Sequence, residues 1–161
     1  SSIEPDEITY DWYAQDTDGN IWYMGEDTMD GEGSSEGSFI AGCEGAEAGI
    51  VMLADPRKGL FYQQEYYEDE AEDWGKVLNF VKLIVDDEEK ECLKTKEWTP
   101  LENGHIEHKF YCSDGEAGEL VMIEELKGKT VIVELVGWNV VAPDQPDGAP
   151  SQTPICYPTE E

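Results

Sequence analysis

A chain of 161 residues with 38 acidic and only 10 basic side chains carries a formal net charge of -28. So negative a surface excludes nucleic acid and anionic membrane as default partners, since both are polyanions, and makes cations the expected companions. The length suits a single domain with a core of its own, and no apolar run approaches the ~20 residues that cross a bilayer.

Residues 10–28, YDWYAQDTDGNIWYMGEDT, carry the densest pattern. Two aromatic-rich runs flank Asp18-Gly19, which predicts a β-hairpin closed by those two residues in a primed turn. That register sets Gln15 against Trp22, Ala14 against Tyr23 and Tyr13 against Met24. Residues 29–38 have the Gly, Ser and acid content of a loop, Phe39-Ile40-Ala41 open a short strand, and residues 50–53 form a compact apolar run ended by Asp55-Pro56. An aromatic strand is predicted over 60–67 and a short helix or helical turn over 68–74, which lacks β-branched residues.

From Lys76 onward the pattern is a β-meander, with strands over 77–85, 91–99, 105–112, 119–126 and 130–136 joined by short turns. The fold class is therefore mainly β, an antiparallel meander forming a barrel or sandwich-like domain with at most one short helix. Residues 1–142 read as one β-rich domain. Residues 143–161 read as a Pro-rich C-terminal extension, which prolines bar from helix or central strand, anchored by Cys156.

The four cysteines lack C-x-x-C spacing, which points to disulfides in an oxidising compartment and an extracellular, periplasmic or cell-surface protein. If the 100–104 turn sets Trp98 near Ile106, Cys92 falls opposite Cys112 or within one residue of it, leaving Cys43 with Cys156. Four cysteines also permit two other connectivities.

The segments DWYAQDTDGNIWYMGEDT, GIVMLADPRKG, YQQEYYEDEAEDW and CLKTKEWTPLENGHIEHKFY resemble an uncharacterised family of exported bacterial proteins with a DWYxQDxxGNxWYxGE segment. The resemblance spans roughly residues 11–135 and implies an extracytoplasmic β-rich domain without implying an activity. It carries over onto Trp12, Tyr13, Gln15, Asp16, Gly19, Asn20, Trp22, Tyr23, Gly25 and Glu26, and onto Glu65, Tyr66, Tyr67, Glu70, Glu72 and Asp73. The cysteines and the Pro-rich end depart from it.

Calcium takes six to eight oxygens in flexible geometry, so acidic loops on a rigid β scaffold suit it. The candidate metal-binding residues are Asp16, Asp18, Glu26, Asp27, Glu65, Glu70, Glu72 and Asp73. Asp16 to Asn20 is not an EF-hand, because Gly stands fourth rather than sixth and the flanks are strand-like. His105 and His108, three apart on a strand, point to opposite faces and do not converge on one ion. No catalytic residue is assigned.

The reading at this level is a secreted, non-catalytic acidic β-domain that binds divalent cations, calcium first among them. It would serve as a binding or structural surface protein, self-assembling into a homo-oligomer or extracellular assembly, with no nucleic acid and no direct membrane insertion. The alternative is a small-ligand or glycan-binding β-barrel, or a hydrolase, in which Trp12, Trp22, Tyr23, Tyr66 and Tyr67 stack on the ligand.

Overall fold

The computed structural model describes residues 7–85, 87–113, 118–125, 129–133 and 156. Eleven strands make two antiparallel sheets among them. The first sheet holds β1 (Glu7–Gln15), β2 (Ile21–Asp30), β4 (Glu47–Met52) and β6 (Glu65–Tyr66) in that order, with β3 (Phe39–Ile40) also pairing with β2. The second runs β11 (Lys129–Ile132), β10 (Gly118–Glu125), β9 (Glu107–Ser113), β8 (Glu88–Trp98), β7 (Trp74–Val85), β5 (Phe61–Gln63). Short connections make each neighbour in β7–β11 the next strand in sequence, as the meander pattern predicts. Among the described residues the sheets are open, so the sandwich-like form of the expected class is observed rather than a closed barrel.

The first hairpin exists, but its loop is five residues rather than two. Gln15 pairs with Ile21, Ala14 with Trp22 and Tyr13 with Tyr23, one place off the register expected for an Asp18-Gly19 turn. The cause is Asp16. Its carboxylate accepts the backbone N–H of Asp18 and of Asn20, the Asn20 amide and the Trp22 indole N–H, each at 2.9 Å. Those donors, the Trp22 indole foremost, hold its pKa down at about 2. Gly19 takes φ 95°, in the left-handed region, and its N–H closes onto the Asp16 carbonyl at 3.1 Å, a turn followed by a left-handed residue.

The predicted 60–67 strand is two strands in different sheets. β5 pairs with β7, β6 pairs with β4, and buried Gln64 alone carries the chain across. This crossover requires Gly49 in β4, where a Cβ would come within 2.4 Å of the Gln63 carbonyl oxygen. Residues 68–74 form no helix. Tyr67 and Ala71 exchange backbone hydrogen bonds across a tight turn in which Asp69 adopts φ 64°, and the Glu72 carboxylate accepts the Asp69 N–H. Closing the turn from both sides outweighs the weak helical preference of so short a segment.

Cys92 pairs with Cys112 across β8 and β9 and is bonded to it, with Cα atoms 4.1 Å apart. Cys43 is bonded to Cys156. Both disulfides are those expected, the first from strand register and the second as the pair that remained. Apart from Cys156, the 143–161 extension lies outside the described residues.

The core follows strand alternation. On β8, Leu93, Thr95 and Glu97 face the first sheet, and Leu93 packs with Tyr62, Val77, Tyr111, Ile50 and Met52. Cys92 projects from the opposite face and packs with Phe110, Cys112, Val81 and Met122. Phe39, Ala46 and Ala71, with Tyr23 and Tyr67 against them, form a third cluster. The inward face of β8 thus changes from apolar at Leu93 to charged at Glu97 within five residues, and the charged end sets the site.

Candidate functional site: an acidic interior chamber

Strand pairing sets Asp11 opposite Glu26 and Tyr13 opposite Tyr23, with a register shift between Trp12 and Tyr13 that leaves Met24 as the extra residue. In an unbroken strand Tyr23 and Glu26, three apart, would point to opposite faces. The bulge returns them to one. The Tyr23 hydroxyl lies 2.8 Å from Glu26 Oε2 and 2.5 Å from Asp11 Oδ1, and its ring stacks on Tyr13 with centroids 5.1 Å apart. A tyrosine hydroxyl has one proton to donate. Two short contacts to carboxylates therefore call for a second proton, and Glu26, whose pKa burial raises despite the Tyr23 bond, is placed to carry it.

Glu65, next to the Gln64 crossover, is close enough to Glu26, Asp11 and Tyr13 to interact with them electrostatically. It is 7% exposed, and its Oε2 is buried without a hydrogen-bond partner. Burial first, then the charges of Asp73, Glu26 and Asp11, push its pKa from the ordinary 4.5 to about 8, against a smaller opposing pull from Lys109. An ionised carboxylate in such surroundings is costly, so the group takes a proton or a cation. Burial also raises Asp73, with Lys109 and a hydrogen bond from Thr99 opposing.

Glu97 is only 3% exposed. Its Oε2 accepts from Lys109 Nζ at 2.9 Å and Gln64 Nε2 at 3.2 Å, and its Oε1 accepts from Thr95 Oγ1 at 2.8 Å and the Tyr111 hydroxyl at 3.1 Å. A buried carboxylate with four donors has its hydrogen-bonding capacity met. Burial disfavours the Lys109 charge, but the adjacent Glu97 carboxylate outweighs it and raises the lysine pKa. Tyr111 is raised by burial and then by Glu97. With Lys109 committed to Glu97, the chamber holds Asp11, Glu26, Glu65 and Asp73 without a matching cation among the described residues.

Of the residues expected to bind metal, the fold gathers Glu26, Glu65 and Asp73 into this chamber. Asp16 organises the hairpin loop, and Asp18 sits exposed at its tip. Asp27 is exposed opposite Tyr10 on the other face of the hairpin. Glu70 is exposed on the 67–71 turn, where Glu72 caps Asp69. No three Asp, Glu, His or Cys side chains among the described residues are spaced to close on a single metal ion.

The residues expected to stack on a ligand are dispersed too. Trp22 donates to Asp16, Trp12 lies over Gly25, and the Tyr67 hydroxyl donates to Glu44. Tyr66 pairs with Glu47 at the sheet edge. Tyr23 alone of the five faces the chamber. His105 contacts Glu102 and Glu107, whereas His108 contacts Glu124.

Asp11, Tyr13, Glu97 and Lys109 were not among the expected site residues. A signal for two of them was present: in the Leu93, Thr95, Glu97 alternation an inward-facing apolar position is followed by a carboxylate, which demands a buried cation such as Lys109 on the next strand. Comparison of the chain with family models, with curated proteins and with solved structures returns no match.

Proposed function

We propose that this protein is a non-catalytic extracytoplasmic binding domain that takes up cations, calcium among them, through its interior carboxylates. Two disulfides fit an oxidising extracellular or periplasmic compartment. The observation that carries the binding reading is the unpartnered, buried Oε2 of Glu65, set among Asp11, Glu26 and Asp73. Calorimetric titration with calcium after chelator treatment tests it. A saturable heat and a raised melting temperature are expected, both reduced in Glu65→Gln; no change at millimolar calcium would overturn the calcium reading.

Self-assembly is a second reading, supported by the hairpin. β1 ends its sheet, and Ile8, Tyr10 and Met29 are about half exposed on it and its neighbour. Size-exclusion chromatography with and without calcium checks this: a single monomeric peak in both removes it.

A further inference from the structure

Asp11 and Tyr13 are exposed on β1, while Glu65, which interacts electrostatically with both, is 7% exposed with Oε2 unpartnered. The cluster thus joins aromatic and carboxylate groups open to solvent with one buried carboxylate oxygen that lacks a donor. We propose that the chamber binds a primary ammonium group on an alkyl stem, its head between Glu65 and Glu26 and its stem along the stacked Tyr13 and Tyr23 rings. This rests on the cation-binding reading and names its ligand class.

Three features select the ammonium. A buried acceptor without a partner calls for an N–H or O–H donor, and an ammonium offers three on a compact charge. Calcium needs six to eight oxygens converging at about 2.3–2.6 Å, and with no three carboxylates among the described residues so spaced it would keep most of its ligands as water and bind more weakly than an ammonium. Hydrogen bonds to an ammonium reach roughly 2.9 Å and tolerate acceptors from separate strands. A guanidinium would bind best to a carboxylate with both oxygens free for its planar fork. Asp11 and Glu26 have each committed an oxygen to Tyr23. The Tyr13–Tyr23 pair, 5.1 Å between centroids, adds ring surface next to these charges, which a cation on an alkyl stem can use.

The ammonium could belong to a free alkylamine or to the lysine side chain of a peptide. Calorimetric titration of the full chain with n-butylammonium, Nα-acetyl-lysine amide, tetramethylammonium and calcium separates the possibilities. Saturable binding of n-butylammonium or the lysine amide is expected, the tighter of the two assigning the source. Tetramethylammonium, which has charge but no N–H, binds at least tenfold more weakly. Glu65→Gln, isosteric and checked for fold by circular dichroism, weakens the amine by roughly tenfold or more through loss of a charge-assisted hydrogen bond. Glu70→Gln, a carboxylate removed from the exposed 67–71 turn, leaves it within about twofold. Equal binding of tetramethylammonium, or amine binding indifferent to Glu65→Gln, overturns the proposal. Saturable calcium binding without amine binding overturns it alone and leaves the cation reading standing. If no cation binds, both fall.

Discussion

Glu65→Gln should remove a pH dependence of stability written into the fold. The side chain is 7% exposed, and its pKa is raised by burial and neighbouring carboxylates from the ordinary 4.5 to about 8. Between those two values the unfolded chain has lost the proton that the folded chain keeps. Stability therefore falls as pH rises from about 4.5 to about 8 and levels off above. At about 1.4 kcal/mol per pH unit, the full interval sets an upper bound of ~5 kcal/mol. Glutamine has nearly the same shape as the protonated acid and does not titrate. Urea denaturation of both proteins from pH 5 to 9 should show similar stability at pH 5 and an advantage to the variant of several kcal/mol at pH 9. Glu26 and Asp73, raised in the same direction, add to the slope of both proteins, and because they interact with Glu65 the difference between the proteins includes its effect on them. A difference between the two proteins that does not change with pH would refute the argument.

Lys109→Met leaves Glu97, 3% exposed, without its cation; chemical denaturation should show a loss of about 3–5 kcal/mol, with partial recovery in the Lys109→Met, Glu97→Gln double variant. Gly49→Ala drives a methyl into the Gln63–Gln64 backbone at the crossover between sheets; a loss of about 1–3 kcal/mol is expected, and an unchanged melting temperature would contradict the close approach. Asp16→Ala releases the Asp18 and Asn20 N–H groups, the Asn20 amide and the Trp22 indole; faster amide hydrogen exchange confined to residues 15–22 is expected, with the β8–β9 amides unchanged.

The order of the second sheet was legible because its strands are sequential and its turns short. Cys92–Cys112 followed from the same register, with Cys43–Cys156 left by elimination. The places that escaped are those where one residue departs from the repeating pattern. Asp16 can satisfy four donors at once, and that local chemistry outweighs the preference of Asp18-Gly19 for a two-residue turn. Gln64 sits in what reads as an unbroken aromatic strand, and only the contact of its backbone with Gly49 shows that the chain changes sheets there. Met24 is the extra residue of a bulge that no composition signal marks, yet without it Tyr23 and Glu26 would not share a face. The acidic composition pointed to Glu26, Glu65 and Asp73 but could not separate them from exposed neighbours such as Asp27 and Glu70. Separation depends on burial, and burial follows from pairings distant in sequence.

The central claim is that Glu65 receives a cation in the chamber. Carboxyl carbon NMR of glutamate-labelled protein at neutral pH, with the Glu65 signal assigned by its absence from Glu65→Gln, tests this most directly. The account predicts a Glu65 signal near the protonated position in the free protein, moving to the carboxylate position as calcium or n-butylammonium saturates the site. A Glu65 signal that neither cation displaces would contradict it.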